Sequence, residues 1–447
     1  MSNHQRARVL ASVPGIGHTL ALSLSPLEFL LSLPREHDLV EIRLAGRPAF
    51  VVCDPRLLAQ MLTDDRVFGK GGFLYDGFRA VVGNRAVALR THDQHRPLRR
   101  AMQPAFTRQR IEDYAAIMAE QIVAVTDSWQ TGQVIDVPTV MHRIATATAL
   151  RTLFVDDIDN DMLDEWLTCL FALTEISPTR HLVVPPALQR RLARGSHTSG
   201  STRQQLWRLA ERLVHEYRRS GGDQHGLMAL LGDHRDHTGN TLTDTDIQAQ
   251  VVNFMIAGTE TLASTMAWIW YVLGTHPPIR QRFSAEVTDV LDGRVARYED
   301  LPRLGLTAAV LTETLRMYPP AWVLTRVANE PVELAGTAIA PGTTLIGSPY
   351  LVHHSDNLYP EPGRFDPDRW YRTAARTTAT GEFVPFGIGA RKCIGDAFAE
   401  TQAILTTATI GARWQLDPIP GQTTHAVAGA SLLARPLKMR VTRLRAG

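Results

Sequence analysis

Of the three cysteines, Cys393 stands where its neighbours could make it a metal ligand. It lies in the run Phe386-Gly387-Ile388-Gly389-Ala390-Arg391-Lys392-Cys393-Ile394-Gly395, directly after two cations. A thiol must become a thiolate to bind a metal. Adjacent positive charge and the amides of a Gly-rich turn lower a cysteine pKa. Residues Asp396 to Thr409 read as a helix, whose N-terminal end would add positive potential at the sulfur. Gly389 and Gly395 permit close approach of backbone, and Phe386 offers a flat apolar face to something large and planar. The alternative is a buried structural cysteine in a strand-to-helix turn.

Three further groupings carry chemistry. Ala257-Gly258-Thr259-Glu260-Thr261 places a carboxylate and a hydroxyl inside an otherwise apolar helical stretch. Gly258 costs that helix about 1 kcal/mol relative to Ala and opens a groove beside the backbone. Buried charge is expensive unless paired, so Glu260 needs either a function or a salt bridge. Thr261 needs either a function or a bond to the carbonyl one turn back. Glu313 and Arg316 share one helix face, with Arg369 about fifty residues on; such pairs are ordinarily surface salt bridges worth ~0–1 kcal/mol. His95 and Arg99 lie one helical turn apart and suit acidic groups by charge-assisted hydrogen bonds, or else form a solvated basic face.

The frame Phe-x-x-Gly-x-x-x-Cys-x-Gly resembles the haem-ligand loop of the cytochrome P-450 family. That resemblance implies Cys393 as axial thiolate of haem b, whose electron donation favours O–O cleavage, with Phe386 and Gly387 beside the ring. Ala257 to Thr261 resembles the family's Ala-Gly-x-(Asp/Glu)-Thr motif, in which the threonine hydrogen-bonds dioxygen and the acid relays protons. His95, Arg99, Arg326 and Arg391 fill family positions for haem-propionate partners. Glu313, Arg316 and Arg369 match a buried structural network near the cysteine loop. Together these motifs imply a haem-thiolate monooxygenase that uses O2 to hydroxylate an unactivated C–H bond. Its electrons would come from ferredoxin and ferredoxin reductase, with Arg100, Arg108, Arg110 and Lys392 docking an acidic donor. The rivals are a peroxide-using oxygenase of the same family and a haem sensor without turnover; the latter needs no Glu260-Thr261 relay.

By the same resemblance, the substrate pocket is lined by Phe73, Leu74, Tyr75, Leu89, Phe254, Ala257, Trp322, Val323, Leu324 and Leu432. For each, core packing is the alternative. Such a pocket selects a hydrophobic ligand by shape and discriminates weakly per methylene. Gln103 to Phe106, Gly258 to Thr265 and Ala321 to Arg326 resemble actinobacterial oxygenases of sesquiterpene hydrocarbons, which implies terpenoid secondary metabolism. A polyketide, macrolide or fatty acid is the alternative.

Composition is compatible with this. The chain has 447 residues, 44% hydrophobic, with net charge +2, so nucleic acid is not indicated. Its cysteines show neither paired spacing nor a zinc pattern, as in a reducing compartment. Val9 to Leu33 is broken by Pro14, Gly15, Gly17 and Pro26, whereas a spanning helix needs ~20 mainly apolar residues. The expectation is a monomeric, cytoplasmic protein away from the membrane.

The elements that must position these groups read as mainly α with small β-sheets: the P-450 fold over 1–447, with haem between a long central helix and the Cys-ligand loop. Helices are expected at 26–37, from Pro55, at 92–103, over most of 109–230, and at 243–274, 278–292 and 306–317. The β-rich parts fall at about 38–54 and 321–350, with strands 39–44 and 49–53 joined by a Gly46-Arg47-Pro48 turn, and the remainder is helical. Residues 69–90 and 177–204 read as loops from their Gly and Pro content. Thr243 and Asp246 have capping-box spacing.

Overall fold

The longest helical pattern in the sequence becomes the axis of the fold. In the computed structural model all residues are described except 1–7, 11–16, 35, 156–157, 175–196, 221–225, 236–238, 373–379 and 445–447. The chain begins with β1 (Arg8–Val9), α1 (Thr19–Leu24), α2 (Pro26–Leu31), β2 (Leu39–Leu44), β3 (Arg47–Val52), α3 (Pro55–Thr63), β4 (Phe68–Gly69), α4 (Phe73–Val82) and α5 (His92–Met102). The middle comprises α6 (Arg108–Thr126), β5 (Val134–Asp136), α7 (Val137–Leu153), α8 (Asn160–Thr174), α9 (His197–Ser220), α10 (Leu227–Asp233), α11 (Asp244–Thr275), α12 (Pro277–Leu291) and α13 (Gly305–Met317). There follow β6 (Leu324–Ala328), β7 (Val332–Leu334), β8 (Thr337–Ile339), β9 (Thr344–Gly347), α14 (Pro349–His353), α15 (Arg369–Arg372) and α16 (Asp396–Arg413). The last strands are β10 (Trp414–Pro418), β11 (His425–Ala428), β12 (Leu432–Arg435) and β13 (Lys438–Arg443).

The axis, α11, starts at a complete capping box between Thr243 and Asp246, which satisfies two of its orphan N–H groups. It packs along α7 and also touches α9, α13 and α16. Because it is surrounded, its apolar residues run round the whole circumference. Trp268 stacks on Tyr318 at 3.8 Å with planes 2° apart. Trp268 Nε1 and Ser264 Oγ both donate to the Leu432 carbonyl, at 2.7 and 2.6 Å, which ties β12 to the helix.

The largest sheet has the order β1-β2-β3-β9-β6-β4. β10, β13 and β5 form a second sheet, and β11-β12 and β7-β8 are hairpins. β3 pairs in parallel with β9, from Ala49 opposite Thr344 to Val52 opposite Gly347. The N-terminal hairpin and two of the 321–350 strands, β6 and β9, therefore belong to one sheet, while β7 and β8 stand apart. Among the described residues no helix is long and apolar enough to cross a membrane.

The mainly helical fold with small sheets agrees with expectation, and several local expectations are corrected. The hairpin turns at Ala45-Gly46, both with positive φ, so Arg47 and Pro48 already belong to β3; two such residues make the turn whose twist suits a hairpin. Residues 69–90 are not a loop. Gly72 and Gly83 flank α4, and Leu74, Phe78, Val81 and Val82 give it a helical apolar face; the glycines punctuate a helix that their density obscured. Helix 26–37 stops at Leu31. The remainder is not wholly helical: β5 lies within 109–230, and β10 to β13 follow α16. Residues 197–204 are helical, and most of the expected 177–204 loop lies outside the described residues.

Candidate active site

Cys393 is held by a short run of backbone hydrogen bonds. Its N–H donates to the Phe386 carbonyl at 2.8 Å, the Lys392 N–H to Gly389 at 3.1 Å and the Gly387 N–H to Val384 at 3.1 Å. Gly389 has φ +72°, and a Cβ there would lie 2.9 Å from Thr63 Cα of α3, so no other residue fits the loop without moving it. The thiol does not have the lowered pKa expected from its neighbours. Although the residue is exposed to the cleft, the protein packed around its sulfur pushes the thiol up and Asp396 adds to that, outweighing the Gly395 amide, Arg99 and Lys392. Lys392 is partly spent on Asp396, 2.5 Å away. Metal coordination would itself deprotonate such a thiol.

Beside the loop the chain gathers buried cations. Arg99 Nη1 donates to the Lys392 carbonyl at 2.6 Å. Arg391 Nε meets Asp65 Oδ2 at 2.8 Å, and the other Asp65 oxygen is 2.6 Å from His92 Nδ1. Burial pushes the Asp65 carboxyl up, but hydrogen bonds from His92 and Arg391 hold it below its usual value. Lys70 Nζ donates to the Tyr75 hydroxyl at 2.7 Å, and Arg326 Nη1 approaches the same oxygen at 3.4 Å. Burial, with Arg326 and Arg391 nearby, brings Lys70 down to about 8. Tyr75 is pushed up by burial, but Lys70 and Arg326 bring it down to about 8. Burial and the cations Arg391, Arg99 and Lys70 depress His95 to about 3.

Positive charge therefore exceeds negative charge here. His95 Nδ1, Arg326 Nε and Arg391 Nη1 are buried and have no partner among the described residues. The cationic donors Arg326 and Arg391 in this state suit a ligand bearing carboxylates, to which the neutral His95 ring can also donate. Tyr75, expected in an apolar pocket, directs its hydroxyl to this cluster.

The face of α11 supplies the other wall. In an otherwise buried stretch, Ala257 and Gly258 are exposed and Thr261 is half-buried. Among the described residues, and apart from its chain neighbours and the helix's own nearby backbone, no atom lies within 4 Å of where a Cβ on Gly258 would sit. Phe106 links this helix to the cysteine loop. It stacks on Phe254 at 5.7 Å and 17°, and a Cβ on Gly395 would lie 3.5 Å from its ring. Thr261 Oγ1 donates to the Ala257 carbonyl at 2.7 Å. Glu260 is 4% exposed and its Oε1 has no partner among the described residues. Burial raises the acid to about 7, against hydrogen bonds from Ser431. A carboxyl poised near neutrality can both give and accept a proton.

A thiol in a rigid loop, unpartnered buried cations and an open segment of buried helix together fit haem, with the cations able to hold its propionates. Phe386 and Gly387 are half-buried at the loop. Of the expected pocket residues, Phe73, Leu74 and Leu324 are half-buried, while Leu89 and Phe254 are buried in the main core. Trp322, Val323 and Leu432 are buried in the core under the N-terminal sheet, and Trp322 Nε1 donates to the Gly429 carbonyl.

The Glu313 network is buried, not superficial. All five Arg316 N–H groups are placed: three bonds run to carbonyls of His353, Pro362 and Arg364, and two to Glu313. Arg369 Nε lies 3.5 Å from Glu313 Oε1, and Trp370 Nε1 donates to Oε2 at 3.0 Å. Such satisfaction is what a buried pair requires.

Sequence reasoning missed Asp65, His92, Lys70 and His353. None belongs to a spaced pattern; Lys70 matters through Tyr75 five residues on, and the other three through contacts with distant segments. Gln250 was also missed. It accepts from the Val87 N–H at 2.7 Å and donates to the Arg85 carbonyl at 2.9 Å. Arg85 and Arg90 both reach Asp246, so segment 85–90 is pinned to α11.

A sequence profile of the family described as Cytochrome P450 matches residues 9–442. The chain is 40% identical over 429 residues to cyclooctat-9-en-7-ol 5-monooxygenase of Streptomyces melanosporofaciens, covering 96% of this chain and 93% of that protein. It is 38% identical over 436 residues to cyclooctatin synthase of the same organism, covering 96% and 93%. It is 39% identical over 439 residues to pentalenene oxygenase of Streptomyces avermitilis, covering 96% of each chain.

Proposed function

Since the chain belongs to the cytochrome P450 family, and is thereby a haem-dependent monooxygenase, we propose that it hydroxylates a rigid terpenoid hydrocarbon or alcohol. The observation that carries this reading is the open Ala257-Gly258 segment, flanked by Glu260 and Thr261 in a buried helix. The names of the relatives support the substrate class: one acts on cyclooctat-9-en-7-ol and another on pentalenene.

When bound, haem supplies dioxygen activation and the insertion of one oxygen atom into a C–H bond. Cys393 would ligate its iron, His95, Arg99, Arg326 and Arg391 would hold its propionates, and Phe386 and Gly387 would line the site. Glu260 takes up and releases protons near neutral pH, and Ser431 orients its carboxyl. Thr261, whose hydroxyl can rotate away from the Ala257 carbonyl, presents a proton to the cleft. Phe73, Leu74, Leu89, Phe254, Ala257 and Leu324 shape the apolar space, with Trp322, Val323 and Leu432 as its backing. Glu313, Arg316 and Arg369 fix the segment that leads to the cysteine loop.

The enzyme works as a cytoplasmic monomer reduced by a ferredoxin and its reductase. Exposed Arg100 and Arg108 are free to steer an acidic donor, while Arg110 and Lys392 are partly neutralised by Asp113 and Asp396. Charge steering weakens with salt, so reduction should slow as ionic strength rises and with Arg100→Glu.

The test is a spectral titration of the haem-loaded protein with terpenoids, fatty acids and macrolide precursors, followed by turnover with ferredoxin, its reductase and NAD(P)H. Saturable binding and a hydroxylated terpenoid are expected. Exclusive turnover of a fatty acid or macrolide, or turnover only with peroxide, would overturn the reading.

A further inference from the structure

His353, the last residue of α14, is fully buried. Its carbonyl accepts from Arg316 Nη1 at 2.9 Å. Its ring nitrogen Nε2 lies 3.0 Å from the Val384 N–H, which donates to it. Beyond Val384 the bonds continue: the Val384 carbonyl takes the Gly387 N–H, and the Phe386 carbonyl takes the Cys393 N–H. One residue thus meets the Glu313-Arg316 pair through its backbone and the head of the cysteine loop through its side chain.

An Nε2 that accepts must carry no proton, so the ring is neutral with its proton on Nδ1. Burial, with His354 and Arg316 close by, keeps it so down to about pH 3. The ring is also fixed in angle. It packs 5.2 Å from Phe383 at 33° and 6.4 Å from Tyr359 at 73°, and the Tyr359 hydroxyl donates to the Glu382 carbonyl at 2.9 Å. Volume alone would be served by a leucine. An acceptor aimed at a buried N–H is a more specific requirement, because an unsatisfied buried amide costs as much as a lost hydrogen bond.

We propose that His353 is a positioning residue: its Nε2 anchors Val384 and so transmits the rigidity of the Glu313-Arg316 network to the loop that presents Cys393. This rests on the reading of Cys393 as the haem ligand. His353→Gln keeps an acceptor near the place of Nε2, whereas His353→Leu removes it. The readout is the carbon-monoxide difference spectrum of thiolate-ligated haem, followed with time in mild denaturant, with haem retention recorded alongside. His353→Leu should lose the thiolate-type spectrum at least about tenfold faster than the wild type while haem is still bound, and His353→Gln should restore much of the difference. Equal rates for the two variants would reduce His353 to core filler and overturn the proposal.

Hydrogen exchange of the wild-type Val384 amide tests the same bond even where His353→Leu does not fold. Protection comparable to that of Cys393 is expected, and exchange at the rate of an open loop would overturn the proposal. If the wild type itself gave no thiolate-type spectrum, the reading of Cys393 would fail, while the Val384 exchange rate would still decide the role of His353.

Discussion

Arg391 and Asp65 form an ion pair at 2.8 Å in which each side chain is only 3% exposed. The two are far apart in sequence, and Arg391 stands two residues before Cys393. Removing one member of a buried pair leaves the other charge uncompensated, at a cost of about 3–5 kcal/mol. Asp65→Asn should lower the stability of the haem-free protein by that amount in urea unfolding and, by loosening Arg391, weaken haem retention. A change below about 1 kcal/mol would mean that the pair behaves like an exposed one.

Glu260 predicts a pH dependence with a definite sign. Its folded pKa of about 7 lies above the unfolded value of 4.5. Between these values the unfolded state binds fewer protons, so the acid's contribution is complete below about pH 4.5 and is lost as pH rises through about 7. Glu260→Gln should remove this slope, so wild-type stability should fall by about 3 kcal/mol relative to the variant as pH rises over the interval. Parallel stability curves would show that the carboxyl is not perturbed.

Among the described residues the Thr261 hydroxyl bonds only locally, to the carbonyl one turn back. Thr261→Ala should therefore leave folding and terpenoid binding nearly unchanged. It should divert electrons to peroxide, lowering product formed per NAD(P)H by about tenfold. Unchanged coupling would remove Thr261 from proton delivery.

Gln250 satisfies the buried Val87 N–H and the Arg85 carbonyl together. Gln250→Leu should free segment 85–90, at a cost of about 1–3 kcal/mol. The loosening should appear as faster hydrogen exchange at Val87 and Leu89 and as a higher KM with little change in kcat. Wild-type exchange in the variant would show that the segment is held by its packing alone.

What could be read in the sequence follows from how local each signal is. The capping box at Thr243, the apolar circumference of α11 and the glycine frame of Cys393 are written in neighbouring residues, and each appears where expected. The Glu313-Arg316 spacing was legible too, but its burial only through the family resemblance, because the three carbonyls that satisfy Arg316 come from residues 353, 362 and 364. Asp65 and His353 were illegible for the same reason: an aspartate after a helix and a histidine ending a short one look ordinary until a distant segment arrives. Tyr75 was misleading because its ring is apolar, while its hydroxyl meets Lys70 and Arg326. The strands after α16 are short, and their alternation, as in the buried-exposed sequence of β13, is a weaker signal than a helical period.

The Leu432 carbonyl receives two donors from α11, and its neighbour Ser431 bonds to the Glu260 carboxyl. The β11-β12 hairpin and the acid thus share one attachment to the helix. Any substitution that shifts this hairpin will also move Ser431 and so retune the acidity of Glu260.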